Sequence, residues 1–525
     1  MRSAWQAPLH RWLVAVALLY TGCFVLPHYR LLFGDDVRAL SNALLLSWFA
    51  TLGLFLLLAS GRWLFRIGVV ALFLVSAGVL YFVVNYKIYV NENVVALLAE
   101  SNGREAWGYV SGELLAYLGG GLLVGVALAL WHSRVPPSRY RARAGWLFQL
   151  GLLFVLALGL ERLAAPGLLA TFTRTFHTAP PLSLIQKPLL YLREQAHLSS
   201  LLAHRENLAG RGAAAPSEPE AVVLVLGESA RADHFHINGY ARPTTPNIEA
   251  WGMQTFRHTR ACASETRLSV PCLLTRATPD DMERAFRETS LVSVFRGAGF
   301  ETSWISNQSF FWSQFAPSRF SESTIYSIAL EAGHVFFNNV SGDVDYLTLY
   351  DQELLPDLDR VLSRPASRQL VVLHTIGSHW HCDSHYPPSF ARWTPLCQKR
   401  NPKRCAPGEY VNSYDNSIRY TDWFLGQVME RLQRRPALLL YVSDHGAEMG
   451  ERGVLTHTPF SGEDVRHVPM LYWMSESFRA RHPAYALAAK RRESSPMSHD
   501  WVFHSLLDCA GVRSPVVDTT LSFCR

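Results

Sequence analysis

The first 163 residues have little charge and very little acid. They hold 13 Lys and Arg against 7 Asp and Glu, so the chain's whole formal charge of +6 arises there; the 36 basic and 36 acidic residues that follow cancel. A nucleic-acid protein would concentrate its cations on a soluble domain, and that is not the pattern here. Aromatic residues make up 12% of the chain, too many for a disordered one. There is no Walker-type glycine loop for a nucleotide, no basic cytoplasmic signalling domain and no internal repeat. Cysteine is scarce in the apolar third, where Cys23 stands alone. What remains is a membrane region followed by a charge-balanced soluble domain.

Five apolar runs occupy that third: Trp12 to Pro27, Leu40 to Ala59, Ile67 to Tyr86, Val110 to Trp131 and Trp146 to Leu163. Crossing a bilayer takes about 20 residues, a length that all but the first run meet. No small-x-small cleavage site follows the first run, so it reads as a short anchor helix extended by snorkelling of Arg11 rather than as a signal peptide. One set of loop ends carries Arg2, Arg11, Arg62, Arg66, Arg134, Arg139, Arg141 and Arg143 without an acid. The alternate set mixes Arg30, Arg38, Lys87 and Arg104 with Asp35, Asp36, Glu92, Glu100 and Glu105. The positive-inside rule makes the first set cytoplasmic, and five crossings then place everything after Leu163 outside. The other seven cysteines all lie in that external part, where an oxidising compartment favours disulfides. Seven is odd, and spacing alone leaves their connectivity open.

Residues 164–219 read as a linker with one or two short amphipathic helices near the membrane surface, ending in the small-residue stretch Gly210 to Pro219. The soluble domain spans 220–525. Its β-rich runs are AVVLVLG, SWISN, QLVVLHT, ALLLYVS and PMLYWM, separated by longer amphipathic segments such as Glu409 to Gln433. This alternation predicts an α/β domain with a mainly parallel sheet flanked by helices, whose functional residues gather beyond the carboxyl ends of the strands.

The first such end runs into Gly227, Glu228 and Ser229. The run Leu438 to Val442 ends in Ser443, Asp444, His445 and Gly446, with Glu448, Glu451, His457 and His467 following. Carboxylates and imidazoles from two strand ends are the donors a Zn-like ion takes. Between them lies Cys262-Ala-Ser-Glu-Thr-Arg-Leu-Ser-Val-Pro-Cys272, a loop with several hydroxyls. A hydroxyl is a weak nucleophile at its free pKa, and metal coordination is one of the few ways to activate it.

These segments, GESARADHFHINGYARPTTPNI, CASETRLSVPC, HTIGSH and SDHGAEMGERGVLTH followed by HVP, together resemble the bacterial inner-membrane phosphoethanolamine transferases, which include the lipid A modifying enzymes of polymyxin resistance. The resemblance covers essentially the whole chain. It implies a five-helix transmembrane domain over 1–163 and an alkaline phosphatase/sulfatase-like periplasmic domain, in a multi-pass inner-membrane protein acting as a monomer. It also implies Zn²⁺-dependent transfer of phosphoethanolamine from phosphatidylethanolamine to a lipopolysaccharide acceptor, lipid A or an inner-core sugar, through a phospho-threonine, with neither nucleic acid nor nucleotide as partner. By the same resemblance Thr266 matches the nucleophile, and Glu228, Asp444 and His445 match the remaining ligands. His379, His457 and His467 match groups serving the substrate or a second metal, and Ser101, Glu105 and Ser309 match donor-binding positions. The disulfides implied are Cys262 to Cys272, Cys397 to Cys405 and Cys509 to Cys524, leaving Cys382 as the odd thiol.

The chain departs from the family pattern at Trp380, His381 and Cys382 after the substrate histidine, at Glu265 and Arg267 beside the nucleophile, and at Leu97, near Asn91 and Asn93, in the membrane-proximal motif. A sulfatase proper needs an Arg two residues after Pro271, where Leu273 stands. A phosphoglycerol transferase would use a similar metal-threonine site on another head group. A transporter or membrane sensor would place ionisable groups inside its spans, and these runs hold only Glu113 and the terminal Glu161 and Arg162.

Overall fold

The computed structural model describes residues 7–34, 36–59, 61–100, 110–132, 179–214, 220–308, 322–338, 349–366, 368–399, 401–451, 455–456 and 462–525. They divide into two compact units, with the main boundary between Arg193 and Glu194 and a second one after Ala99, Glu100 grouping with the later unit.

In the first unit four helical stretches are long and apolar enough to cross a membrane. The first is longer than its sequence suggests. Helix α1 (Ala7–Tyr20) continues through a π-helical turn at Thr21–Val25 into α2 (Leu26–Phe33), giving an apolar span of 22 residues from Trp12 to Phe33. Pro27 does not end it, because it stands in the first turn of α2, where its missing N–H costs little. Next come α3 (Val37–Leu58), capped by Asp36 through the Ala39 N–H at 3.0 Å, α4 (Arg62–Tyr86), the short α5 (Glu92–Glu100) and α6 (Gly112–His132). Helices α4 and α6 approach closely because α6 carries glycines at the contact: a Cβ on Gly121 would sit 2.6 Å from the Phe73 carbonyl oxygen, and one on Gly125 2.9 Å from Val70 Cα. The fifth apolar run, Trp146 to Leu163, lies outside the described residues.

The described part of the linker holds a 21-residue helix, α7 (Ser183–Ala203), with Pro188 inside it. Further on, Ala213 and Ala214 pair antiparallel with Arg513 and Val512, so the chain joins the second unit's fold before residue 215.

The second unit is built on a seven-stranded sheet: β1 (Glu220–Gly227), β2 (Gln254–Phe256), β3 (Glu301–Ser306), β4 (His334–Phe337), β5 (Arg368–His374), β6 (Ala437–Ser443) and β7 (Met470–Met474), in the order β2-β7-β6-β1-β5-β3-β4. Only β7 runs against its neighbours. All eight residues of β1 are buried, which explains its unbroken apolar run. Alternate side chains enter two cores. Val222, Leu224 and Leu226 pack with α8 (Thr266–Leu274), α9 (Leu291–Gly297) and the late helix α12 (Asp500–Cys509). Val223 and Val225 pack with α10 (Leu355–Leu362) and α11 (Pro407–Leu432). Each large side chain so buried contributes about 1.5–3 kcal/mol, and together they fix the central strands whose ends carry the chemistry. The three disulfides are Cys262–Cys272, Cys397–Cys405 and Cys509–Cys524, and Cys382 is a buried free thiol.

Candidate active site

Parallel strands β1 and β6 are neighbours, with Gly227 opposite Ser443, so Glu228 and Asp444 emerge side by side. Any Cβ at Gly227 would meet the Tyr441 ring at 2.5–2.7 Å, which restricts that position to glycine. Ser229 then turns the chain sharply at φ 57°, a conformation that costs a non-glycine residue free energy. Its backbone N–H donates to Asp444 Oδ1 at 3.1 Å and its hydroxyl donates to Glu228 Oε1 at 2.6 Å. The Tyr414 hydroxyl on α11 holds this turn, donating to the Ser229 carbonyl at 2.7 Å and accepting the Arg231 N–H at 2.8 Å.

His445 completes the cluster. Its Nδ1 lies 2.8 Å from the Gly446 carbonyl, which can only accept, so Nδ1 carries the proton and Nε2 presents a lone pair. Nε2 lies 3.5 Å from Glu228 Oε1 and 3.4 Å from Asp444 Oδ2. One ligand atom from each of Glu228, Asp444 and His445 falls within 4.8 Å of the others, and all three residues are buried. Asp444 Oδ2 is buried without a hydrogen-bond donor. Burial pushes Glu228 up to about 7, and burial followed by the neighbouring Glu228 charge pushes Asp444 up to about 7. Two carboxyls that resist ionisation next to an imidazole lone pair form a site short of positive charge, which a divalent metal ion supplies.

Thr266 stands at the start of α8 with its Oγ donating to Glu228 Oε2 at 3.0 Å and lying 3.2 Å from His445 Nε2. It is partly exposed while the other three are buried, so it has access to both the cluster and solvent. Its loop is held on several sides. The Cys262–Cys272 disulfide closes it, and Ser269 Oγ accepts the Ala263 N–H at 3.0 Å and donates to the Ala263 carbonyl at 2.9 Å. Arg466 donates to the carbonyls of Ala261 and Cys262. His499 ties the loop to β6: its Nδ1 accepts the Cys262 N–H at 3.2 Å and its Nε2 faces the Ser443 carbonyl at 3.0 Å, an arrangement only the neutral ring can make. Burial pushes that ring down to about 3.

The opposite wall comes from the ends of β3 and β5. Gln308 donates to Glu228 Oε2 at 3.3 Å and to the Thr375 carbonyl at 2.9 Å. Asp351 is buried, accepts the backbone N–H groups of Ile376 and Gly377 at 2.8 and 3.0 Å, and is pushed up to about 6 by burial. Gly377 has φ 50° and a Cβ there would lie 2.8 Å from the Glu228 carbonyl oxygen, so glycine is required at this close approach. Ser378 donates its N–H to that same carbonyl at 3.0 Å, which sets His379 beside the cluster's loop, though outside the cluster itself.

Among the residues singled out from the sequence, then, Glu228, Thr266, Asp444 and His445 come together. His467 does not join them; its Nε2 is hydrogen-bonded to the Arg257 carbonyl at 3.0 Å. Ser101, Glu105, Ser309 and His457 lie outside the described residues. Ser229, Gln308, Asp351, Tyr414 and His499 were not singled out from the sequence. Ser229 follows Glu228 and Gln308 precedes Ser309, so those two had a signal in position, and the other three had none. The departures flanking the nucleophile, Glu265 and Arg267, form a buried ion pair at 3.4 Å. Trp380 is buried, with its ring 6.1 Å from that of Tyr410. Asn91 caps α5 through the Val94 N–H at 2.7 Å. The side chains of Asn93 and Leu97 are outside the described set.

Comparison with known proteins agrees with this architecture. The sulfatase family model matches residues 220–512, and a model described as phosphoethanolamine transferase EptA/EptB matches residues 48–199. The chain is 26% identical to phosphoethanolamine transferase EptA of Salmonella typhimurium over 98% of this chain and 96% of that one. It is 32% identical to Kdo(2)-lipid A phosphoethanolamine 7''-transferase of Escherichia coli over 56% of this chain and 52% of that one. The integral membrane lipooligosaccharide phosphoethanolamine transferase EptA of Neisseria meningitidis shares its fold, with a TM-score of 0.81 at 22% identity over 98% of both chains. With a sulfatase-type sheet carrying the cluster and an apolar N-terminal region of the EptA/EptB type ahead of it, the chain belongs to the phosphoethanolamine transferase family of the sulfatase superfamily.

Proposed function

We propose that this enzyme transfers phosphoethanolamine from phosphatidylethanolamine to a lipopolysaccharide acceptor, with Thr266 as the covalent nucleophile and Zn²⁺ as its cofactor. The observation that carries the reading is the Thr266 hydroxyl lying 3.0 Å from Glu228 and 3.2 Å from His445, at the one partly exposed position of an otherwise buried cluster.

The donor set fits zinc: two carboxylates, one imidazole with its lone pair turned inward and one hydroxyl, with the buried Asp444 Oδ2 awaiting a positive partner. A solved structure of the periplasmic domain of EptC from Escherichia coli is a complex with zinc, and it shares this fold at a TM-score of 0.53. Glu228, Asp444, His445 and Thr266 would hold the ion. Zn²⁺ bound there supplies Lewis-acid stabilisation of the threonine oxygen as an anion.

The chain's own groups do the rest. Ser229 keeps one oxygen of each carboxylate occupied and so aims the others inward. The hydroxyl proton of Thr266 points at Glu228 Oε2, and the partial exposure of Thr266 leaves its oxygen open to an incoming phosphodiester. The Thr266 oxygen attacks phosphorus in line, the phosphorus–oxygen bond to diacylglycerol breaks, and the proton that Thr266 gives up ends on the departing diacylglycerol oxygen. An acceptor hydroxyl then attacks the phospho-threonine from the side diacylglycerol vacated, the bond from phosphorus to the Thr266 oxygen breaks, and the proton the acceptor loses returns to Thr266. In this reading the apolar helices tether the domain to the membrane that holds donor and acceptor, and the positive-inside pattern of the loop charges supports a periplasmic position for it.

Mass spectrometry of lipopolysaccharide from cells with and without the protein tests the function. The reading requires an added phosphoethanolamine only when the protein is present; identical spectra would refute it.

A further inference from the structure

From Ser384 to Gly408 the chain has 25 residues, five of them basic (Arg392, Lys399, Arg400, Lys403 and Arg404) and none acidic, in a soluble region that is neutral as a whole. The Cys397–Cys405 disulfide, with a Cα–Cα distance of 5.4 Å, closes the short loop that carries Lys399, Lys403 and Arg404. Arg400 lies outside the described residues; Arg392, Lys399 and Arg404 are exposed and Lys403 is partly so.

The stretch is fastened to the first half of α11. Asn416 Oδ1 accepts the N–H groups of Arg392 and Trp393 at 2.9 and 3.0 Å, Ser413 Oγ accepts the Cys397 N–H at 2.9 Å, and Asn412 donates to the Pro395 carbonyl at 3.0 Å. Arg242 joins from another loop, donating to Asn412 and to the buried Asp415, with its guanidinium 5.5 Å from the Trp393 ring centre. Arg392 lies 5.6 Å from the same ring. The same helix turns serve the candidate active site: Tyr414 holds Ser229, and Ser417 donates to Ser378, the residue bonded to the Glu228 carbonyl.

We propose that this disulfide-closed basic surface is where the acceptor docks, and that it recognises the phosphate and carboxylate groups of an anionic glycolipid. The inference rests on the transfer reaction proposed above and extends it to the substrate that arrives second. Lys and Arg on a fixed backbone pair with phosphate through charge-assisted hydrogen bonds. A one-signed exposed surface raises the encounter rate of an oppositely charged ligand in a salt-dependent way. The loop is anchored on the same turns of α11 whose side chains hold the loops around Thr266, so a ligand docked there is carried by the helix that serves the site without using the metal cluster.

The test uses full-length enzyme in neutral detergent with two readouts: diacylglycerol released from phosphatidylethanolamine without acceptor, and phosphoethanolamine transferred to purified lipopolysaccharide. The variant K399Q/K403Q/R404Q should raise KM for lipopolysaccharide about tenfold, with donor-only release within about twofold of wild type, and should flatten the salt dependence of transfer. The charge-retaining K399R/K403R/R404K should keep the wild-type KM. Lipopolysaccharide stripped of phosphate should be a poor acceptor for wild type and be affected little further by the glutamine variant. An unchanged KM in the glutamine variant would overturn the inference. So would an equal loss with stripped acceptor, a parallel loss of donor-only release, or phosphatidylglycerol vesicles competing as well as lipopolysaccharide. Absence of both activities in wild type would instead refute the transfer reaction itself.

Discussion

The backbone N–H of Ser229 donates to Asp444 Oδ1 at 3.1 Å across 215 residues of sequence, while its hydroxyl donates to Glu228 Oε1 at 2.6 Å. One residue in a left-handed conformation thereby orients both carboxylates of the candidate metal centre.

Ser229→Ala keeps the backbone bond to Asp444 and frees Glu228 to rotate. Groups that orient a metal's ligands typically contribute 10–100-fold to metal affinity, so zinc affinity, read by competition with a chromogenic chelator, should fall by about tenfold or more while the fold is retained. An unchanged affinity would show that Glu228 is held by Gln308 and its surroundings alone.

Removing the nucleophile separates chemistry from structure. Thr266→Ala should abolish transfer with the thermal midpoint near wild type and with zinc still bound at saturating concentration by Glu228, Asp444 and His445. Ser264→Ala, on the same loop, should remain active. Ser269→Ala should lose about 1–2 kcal/mol of stability, because its hydroxyl satisfies both the N–H and the carbonyl of Ala263. Equal activity losses in all three would mean the loop is only a structural turn.

The carboxyl shifts set a pH dependence. Unfolded Asp and Glu titrate near pH ~4, whereas folded, metal-free Glu228 and Asp444 hold their protons up to about 7. The stability these raised values give the metal-free protein is complete below pH ~4 and is lost as pH rises through about 7. Zinc must displace the same protons, so its affinity grows across that window. The thermal midpoint of zinc-loaded protein minus that of chelator-treated protein should widen from pH 5 to pH 8; a constant gap would contradict the assignment of these two carboxyls as ligands.

The clasp on the nucleophile loop gives a further test. Replacing Cys262 and Cys272 together by Ser should cost about 2–3 kcal/mol by freeing a short loop, and should lower transfer more than it lowers zinc content, since neither cysteine belongs to the cluster with Glu228, Asp444 and His445. Zinc lost in proportion to activity would show that the loop supports the ligands as much as it supports Thr266.

Legibility from sequence followed burial. The central strands β1, β5 and β6 are buried along their whole length, so they announce themselves as unbroken Val and Leu runs, and Glu228 and Asp444 could be read at their ends. The edge strands Gln254–Phe256 and His334–Phe337 are three and four residues long and carry no such run. Pro27 reads as a helix end, and the structure instead absorbs it in a first turn after a π-helical segment. Tyr414 looks like one more buried position on an amphipathic helix, and Asp351 sits in a short helical turn far from any motif. Both act through backbone groups of distant loops, which residue type and spacing do not encode.

The central claim is that Thr266 receives the phosphoethanolamine group. Full-length enzyme loaded with zinc, incubated with phosphatidylethanolamine without acceptor and quenched in acid, should yield a peptide containing Thr266 heavier by one phosphoethanolamine, with fragmentation placing the mass on that residue. The peptide should return to its unmodified mass when lipopolysaccharide is added before the quench. Label on Ser264 or Ser269, or full transfer by Thr266→Ala, would contradict the account.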